Sequence, residues 1–343
     1  MRACVVIPTL DARELLGRAL ESLAGQTVSA NVVVVDNASS DGTPEMVATR
    51  FPDVRLVVNE RNLGFGRAIN RGLSEIGDAE VVILVNNDTV CEPEFVERML
   101  EPFVDPSVGM VAGVLLQGSA PEFVDSAGIE LDRTLRSWDI GWNEPADRLV
   151  AAPEPVGPCG GAAAYRVAAL QEAGGGFDEA FFAYWEDVDL ALRLRLEGWR
   201  CIRADGARAL HAHGATLGSS SPKQRRLEAF GRSYVLHKYR VPSLGLWTRA
   251  KIAILDWPVL LVHLVVRREL GPIRARSRGA REGRRATGLR PPVELAAVSL
   301  GEALRRQYGL ILLRLTGRLP EHFREHGPAT TTGTRAAPPS GRD

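Results

Sequence analysis

Short apolar runs alternate with helix-like segments from the start of the chain. The runs at 3–7, 31–35, 54–58, 81–85 and 108–114 are rich in β-branched residues and have the length of strands. The segments between them carry apolar residues at the spacing of amphipathic helices. Strands that alternate with helices in this way predict an α/β fold with a mainly parallel sheet flanked by helices.

The fourth run, 81–85, leads directly into three polar residues, Asn86, Asn87 and Asp88. A continuous apolar run of this length is typical of a strand buried on both faces. Asn and Asp are also common where a strand simply turns, and taken alone they favour a turn. The carboxyl end of a parallel strand is where open α/β sheets bind ligands, and a carboxylate there can hold a divalent cation against a phosphate.

Polar residues also follow the first three strands. Thr9 follows the first, Asp36 and Asn37 follow the second, and Gly64 lies in the loop after the third. Because the carboxyl ends of parallel strands meet at one edge, we expect one site rather than four turns. An aspartate such as Asp36 can accept from the ring N–H of uracil or thymine, and glycine allows the backbone to approach a ribose or phosphate. The pattern predicts a site for a nucleoside diphosphate bound through a metal.

Composition and known motifs exclude several other classes of protein. The net charge is zero, so we expect no nucleic-acid partner. The four cysteines form no CxxC pair, which argues against a zinc site or a disulfide framework and suits the cytosol. The chain enters its first strand at once, so we expect no signal peptide. A P-loop is absent, and Gly64-Phe65-Gly66 lacks the third glycine of a dinucleotide fingerprint.

The middle of the chain is less regular. We expect short antiparallel strands and a loop over the sheet at 117–155, which would supply acceptor pockets, and a glycine-rich turn followed by helix at 157–166. From Glu186 the apolar residues alternate as in a strand. We nevertheless predict a helix, because strong helix formers fill the segment and Gly198 follows it. A strand is expected at 200–204.

Three acids, Glu186, Asp187 and Asp189, fall in the first turn of that helix. Acids favour helix N-termini for electrostatic reasons alone, but the aromatic residues just before these would form a wall for a sugar. A carboxylate within reach of an acceptor hydroxyl can remove its proton. Because a helix N-terminus lowers a carboxylate's pKa, we expect an acid there, Asp187 included, to have a lowered pKa and to act through placement more than through raised basicity. His211 and His213 are either core residues or metal ligands.

The chain after 218 changes character. An apolar helix is expected at 252–266, too short to span a membrane and interrupted by Asp256, Pro258 and His263. Arginines crowd the stretch that follows it. Either the helix lies on an anionic membrane surface, or it packs on the domain beside a solvated basic loop. We predict a catalytic domain at 1–218, a helical and possibly membrane-associated region at 219–327, and a disordered tail at 328–343.

Six motifs, in this order, resemble the family 2 glycosyltransferases, and most closely their bacterial rhamnosyltransferase-like branch. They are VVIPTL from 5, VVDNASSDGT from 34, NLGFGRAIN from 62, NND from 86, FDEAFFAYWEDVDLALRLRLEGW from 177 and HAHGAT from 211. The resemblance covers about residues 3–216. It implies a GT-A fold, a nucleotide-sugar donor, a divalent metal (Mg²⁺ or Mn²⁺) and inversion at the anomeric carbon.

The resemblance also implies roles for individual residues. Asp88 matches the last position of the family's DxD motif and would bind the metal, while Asn86 replaces the first Asp. Asp187 matches the catalytic base. His211 fits the later metal-ligand histidine best by its spacing, with His213 second.

We expect the ligand sites to include further residues at the same edge of the sheet. For the donor these are Pro8, Thr9, Asp36, Asn37, Gly64, Arg67, Asn86 and Asn87, and for the rest of the substrate site Gly160, Gly161, Trp185 and Glu186.

Resemblance to enzymes of cell-envelope assembly implies dTDP-rhamnose as donor and a glycan or polyprenyl-linked glycan as acceptor. The expected location is cytoplasmic, peripheral at the inner face of the membrane. Alternatives are a transferase that uses a UDP- or GDP-sugar and a non-catalytic nucleotide-sugar-binding protein. A nucleotidyltransferase would carry a glycine-rich arginine–lysine signature after its first strand, which is missing.

Overall fold

The computed structural model describes residues 1–151, 154–212, 221–286 and 288–315. Met1–Ala303 form one compact unit, and a second unit begins at Leu304. The predicted boundaries near 218 and 327 therefore lie outside the described residues and stay predictions.

The strands and helices are numbered here in chain order. The strands are β1 (Ala3–Thr9), β2 (Asn31–Asp36), β3 (Arg55–Val58), β4 (Val81–Val85), β5 (Thr89–Cys91), β6 (Val108–Gln117), β7 (Ala120–Ser126), β8 (Ile129–Asp132), β9 (Ser137–Asp139), β10 (Ala162–Arg166), β11 (Arg200–His211) and β12 (Ala296–Val298). The α-helices are α1 (Arg13–Ala24), α2 (Thr43–Arg50), α3 (Phe65–Leu73), α4 (Phe95–Leu100), α5 (Val167–Glu172), α6 (Glu186–Leu196), α7 (Pro222–Lys238), α8 (Leu246–Leu261), α9 (Gly271–Arg285) and α10 (Leu300–Leu315).

The large sheet has the strand order β3-β2-β1-β4-β10-β6-β11-β5, with β7 also paired to β6. The first four strands in this order are parallel, as predicted. Strand β10 lies antiparallel between β4 and β6, and β6 is parallel to β11. Alternate residues of β1 face opposite cores: Val5 packs with Leu16 of α1, whereas Val6 packs with Ile69 of α3. The predicted α/β class is confirmed.

Strand β10 corrects one expectation, because the alanines at 162–164 were predicted to be helical. All three are at most 1% exposed, and they lie between two neighbouring strands. A Cβ added at Gly113 of β6 would lie 3.2 Å from that of Ala162. Only small side chains fit at this close approach, so packing overrides the helix propensity of alanine.

Helices α7 and α9 pack on one another. Gly279 and Gly283 of α9 lie against α7, where an added Cβ would meet the carbonyl oxygens of Phe230 and Tyr234. The arginine-rich stretch is therefore a packed helix rather than the solvated loop of the second interpretation. The apolar helix is α8, extended by a π-turn at Val262–Val266. None of the helices in the described residues is both long and apolar enough to cross a membrane.

Candidate active site

A cleft of about 300 Å³ opens at the carboxyl ends of β1 and β4. Its walls come from the N-terminal strand ends on one side and from the start of α6 on the other. The lining includes twelve of the predicted site residues: Pro8, Thr9, Asn37, Gly64, Asn86, Asn87, Asp88, Gly160, Gly161, Glu186, Asp187 and His211. Asp36, Arg67 and Trp185 do not line it.

Hydrogen bonds within the turn and to neighbouring strands fix the turn after β4. The Asn86 N–H donates to the Gly161 carbonyl at 3.3 Å, and the Thr89 N–H donates to the Asn86 carbonyl at 3.2 Å. The Asn87 side-chain amide donates to the Thr9 hydroxyl at 3.0 Å. The turn therefore joins β1, β4 and β10 and holds Asp88 against the cleft, so the same three residues, Asn86, Asn87 and Asp88, form the turn and line the cleft.

His211 lies between two aspartates. Its Nε2 is 3.2 Å from Oδ1 of Asp88, and its Nδ1 is 2.6 Å from Oδ2 of Asp125. Burial opposes the charged imidazolium, but the hydrogen bonds and charges of both carboxylates outweigh it and raise the pKa of His211 to about 10. Asp125 was not predicted, because it lies in the segment that the sequence left as short strands and loop. His213 lies outside the described residues.

Asp88 and His211 are the residues here that fit a metal ion. Carboxylate and imidazole both suit Mn²⁺, and Mg²⁺ in nucleotide sites commonly takes one or two carboxylates with phosphate oxygens and waters. Over the described ranges no group of three or more His, Cys, Asp or Glu side chains is arranged to hold a metal ion. Two protein ligands suffice when a diphosphate supplies others.

The first two acids of α6 face the cleft. Asp187 accepts from the N–H of Val188 at 2.8 Å and from that of Gly160 at 3.3 Å. Burial raises the pKa of Asp187, and burial together with the Asp187 charge raises that of Glu186 to about 8. The expectation that the helix N-terminus lowers the pKa of Asp187 is thus wrong, because desolvation outweighs the backbone N–H groups. Oε2 of Glu186 is buried with no hydrogen-bond partner in the described structure.

Asp189, the third acid, points away from the cleft. It is fully buried and lies 2.7 Å from Lys238 Nζ, 3.0 Å from Arg193 Nε and 3.1 Å from the Tyr239 hydroxyl. Lys238 also pairs with Asp178 at 2.7 Å. These contacts anchor α6 to α7. Asp189 therefore has a structural role, because it fixes the helix that carries the other two acids.

The aromatic wall is formed by Phe182 and Tyr184, which line the cleft. Trp185 instead packs on Gly231 and Arg232 of α7, with the guanidinium carbon 5.6 Å from the ring centroid. Tyr184 and Trp185 both have a positive φ, 68° and 77°, which costs a non-glycine residue about 1–3 kcal/mol. Tyr184 thus lines the cleft whereas Trp185 packs on α7, and a substrate role for Trp185 stays a prediction.

A backbone contact joins the two walls of the cleft. The Phe65 N–H donates to the Phe182 carbonyl at 2.7 Å. Gly64 has φ 89°, and a Cβ there would lie 2.3 Å from the same carbonyl oxygen. Glycine is therefore required at 64 by both its conformation and this close approach.

Asp36 is fully buried beside the cleft. Its Oδ2 accepts from the Ser39 N–H at 2.9 Å, while Oδ1 is buried with no partner in the part of the chain described. A buried acceptor of this kind is costly unless something donates to it. Arg67 is exposed and pairs with Glu179 at 3.4 Å.

Comparison with solved structures shows a shared fold. The mannosyltransferase PcManGT from Pyrobaculum calidifontis, in complex with GDP-Man and Mn²⁺, superposes with a TM-score of 0.53 at 19% identity, covering 94% of this chain and 82% of that one. GalNAc-T7 with UDP, GalNAc and Mn²⁺ gives a TM-score of 0.54 at 15% identity, over 69% and 50% of the two chains. The predicted GT-A fold is confirmed.

Sequence comparison shows the family. Residues 4–174 match the family described as Glycosyl transferase family 2. The N-acetylglucosaminyl-diphospho-decaprenol L-rhamnosyltransferase of Mycobacterium tuberculosis is 30% identical over 312 residues, which cover 82% of this chain and 98% of that protein. By the family match and by its identity to this relative over most of both proteins, this chain belongs to glycosyltransferase family 2.

Proposed function

We propose that this glycosyltransferase inverts the anomeric centre of rhamnose as it moves the sugar from dTDP-rhamnose to a hydroxyl of a polyprenyl-linked glycan in cell-envelope polysaccharide synthesis. The observation that carries the proposal is that Asp88 and His211 share one cleft with Asp187. If Asp88 and His211 hold the diphosphate of the donor, the sugar would lie between the diphosphate and Asp187, the candidate base.

The donor half of the cleft would bind the nucleotide. Oδ1 of Asp36, which lies beside the cleft and has no partner among the described residues, would accept from the ring N–H of a thymine or uracil. Asp88 and His211 would hold Mg²⁺ or Mn²⁺, and the bound cation would offset the charge of the diphosphate.

Asp187 would act as the general base. The acceptor oxygen bonds to the anomeric carbon from the face opposite the diphosphate, and its proton passes to the Asp187 carboxylate. The bond from that carbon to the diphosphate oxygen breaks, and the nucleoside diphosphate leaves with the electron pair. A raised pKa makes Asp187 a stronger base than an ordinary aspartate, and such a base contributes about 10²–10⁴ in rate.

The lipid-linked acceptor and the sugar rest on the mycobacterial relative, whose name states a rhamnosyl transfer to a decaprenol-linked acceptor. The match covers 98% of that protein and 82% of this chain, so it extends beyond the domain that carries the cleft. A UDP- or GDP-sugar donor remains the alternative, since the GT-A structures above hold GDP-Man and UDP.

An acceptor held in the membrane would be reached by an enzyme at its inner face, and α8 supports this location. Trp247, Ile254 and Leu261 recur every seven residues on one face of the helix and are 67%, 45% and 50% exposed, with Trp257 beside them at 61%. The π-turn that follows exposes further apolar residues. Exposed arginines flank this surface: Arg249, Arg267, Arg268 and Arg274. Apolar and tryptophan side chains beside basic ones are typical of a helix lying in an anionic interface.

The donor is tested by incubating the enzyme with dTDP-rhamnose, UDP-sugars and GDP-sugars and a synthetic polyprenyl-diphosphate-linked acceptor, with and without Mn²⁺. We expect transfer from dTDP-rhamnose that stops when the metal is chelated, and a product of inverted configuration by NMR. Transfer from a UDP- or GDP-sugar alone would replace the donor. Binding of nucleotide sugars without any transfer or hydrolysis would indicate a binding protein.

A further inference from the structure

Asp125 is the buried carboxylate behind His211. It is 7% exposed, does not line the cleft, and its Oδ2 is 2.6 Å from His211 Nδ1. On the opposite side of the ring, Nε2 faces Asp88 in the cleft. The two carboxylates therefore contact different nitrogens of the same imidazole.

The backbone around Asp125 is irregular in a way that aims this side chain. Leu115 of β6 pairs with Ser126 of β7, but the next residue, Leu116, pairs with Val124. Asp125 is the extra residue of a β-bulge, which leaves it out of the regular pairing. Bulges are common beside active sites, where they redirect a side chain. Strand β6 also pairs with β11, which brings His211 opposite Gln117, next to this bulge.

We infer that Asp125 is a positioning residue of the metal site, holding the His211 ring so that Nε2 faces Asp88 and the bound cation. The inference rests on the proposed function, in which His211 is a metal ligand. An imidazole that ligates through one nitrogen needs its other nitrogen to keep the proton. A carboxylate that accepts this N–H fixes both the tautomer and the ring orientation, and strengthens the imidazole as a ligand.

The test is Mn²⁺ binding rather than activity alone. We expect Asp125→Asn to weaken Mn²⁺ binding in saturating dTDP by about 10–100-fold by calorimetry, the usual loss when an outer partner of a ligand is changed. Turnover should recover when Mn²⁺ is raised to match, because Asp125 does not touch the substrate. Glu122→Gln, on the exposed part of the same strand, is the matched control and should leave Mn²⁺ affinity within twofold of wild type.

Pulsed EPR separates this inference from the proposed function. Wild-type enzyme with Mn²⁺ and dTDP should show ¹⁴N modulation from a directly bound imidazole, lost in His211→Ala and reduced in Asp125→Asn. Unchanged affinity and modulation in Asp125→Asn would overturn the role of Asp125 while leaving His211 as a ligand. No ¹⁴N modulation in wild type would remove His211 from the metal site, and the inference with it, even if transfer activity is present. Should Asp125→Asn fail to fold, Asp125→Glu keeps the charge and displaces the oxygen, and the same weakening is expected.

Discussion

Glu186 and Asp187 place two carboxyl groups side by side at the cleft. Both have raised pKa values, so near neutral pH the pair keeps less negative charge than two ordinary acids would. The Asp187 carboxylate accepts hydrogen bonds from two backbone N–H groups, which favour its ionised form. Oε2 of Glu186 has no partner in the described residues. This asymmetry favours the ionised form at Asp187 over Glu186, and a protonated Glu186 would be a hydrogen-bond donor at the cleft.

Asp187→Asn should lower turnover by about 10²-fold or more, because the amide cannot take a proton. Since only the ionised carboxylate is a base, wild-type kcat/KM should fall as pH is lowered through a pKa above about 3.9, the ordinary value for aspartate. Steady-state kinetics from pH 4 to 8 would measure both effects. Glu197→Gln, exposed just after the same helix, is the control and should behave as wild type. Turnover of Asp187→Asn within a few-fold of wild type would contradict the assignment.

Residues at strand ends were predictable because parallel strands share an edge, so Thr9, Asn37 and Asp88 meet wherever such a sheet forms. Asp125 was not, since its position depends on a one-residue bulge that leaves no mark in the hydrophobic pattern. Trp185 shows a similar limit: its place away from the cleft depends on its packing against Gly231 and Arg232 of α7, a long-range contact that the local sequence does not reveal.

The two faces of helix α8 differ in polarity in an unusual way. Its outward face is apolar, whereas its inward face carries Asp256, which is 2% exposed. The carboxylate lies 2.9 Å from Arg136, 2.7 Å from Arg276 and 3.5 Å from Arg232. Burial opposes ionisation of Asp256, but the three guanidinium groups outweigh it and hold its pKa below the usual range. This cluster fixes the rotation of α8 and thereby turns its tryptophans outward.

Asp256→Asn should destabilise the protein by about 3–5 kcal/mol, the usual cost of leaving buried charges uncompensated. Because the pKa of Asp256 is lower in the folded protein than in the unfolded chain, where it is near 3.9, its carboxylate stabilises the fold at pH values above about 3.9. The difference in unfolding free energy between wild type and variant should therefore be full at pH 7 and shrink below about pH 4. Urea unfolding at several pH values would measure it. Glu94→Gln breaks the exposed pair with Arg98 and should cost less than about 1 kcal/mol. Equal stabilities for the two variants would show that the cluster is not what holds α8.

Propensity and burial agree in the first four strands, whereas α6 was predicted from helix propensity against an apolar pattern that alternates as in a strand. They conflict in β10, where alanine occupies a crowded central strand, and prediction failed. The basic stretch before 286 was not assigned as a helix because its glycines, which pack on α7, weaken a helical pattern when read alone.

The apolar face of α8 and the arginines near it should direct binding of the protein to an anionic membrane. We expect the protein to float with anionic phosphatidylglycerol vesicles at low salt and to be released as salt rises, since each basic residue near such a surface contributes about 1 kcal/mol. Replacing Trp247 and Trp257 together by Gln should abolish flotation and leave transfer to a water-soluble acceptor intact. Val58→Gln with Val104→Gln, exposed elsewhere, should still float. If the wild-type protein stays in the bottom fraction of the gradient at every salt concentration, this surface is not a membrane anchor.

The position of β10 has a consequence for synthesis on the ribosome. Strand β4 gains its second neighbour only when β10 has been made, about 80 residues later, which takes roughly 4–16 s at about 5–20 residues per second. During that interval the nascent chain presents an apolar edge able to pair with other chains, a hazard that chaperones relieve. The turn after β4 is also completed only then, because the Asn86 N–H donates to the Gly161 carbonyl, which precedes β10 directly. Asp88 therefore reaches its position beside the cleft only after β10 has been translated, and a ribosome that stalls between the two strands would leave the proposed metal site unformed.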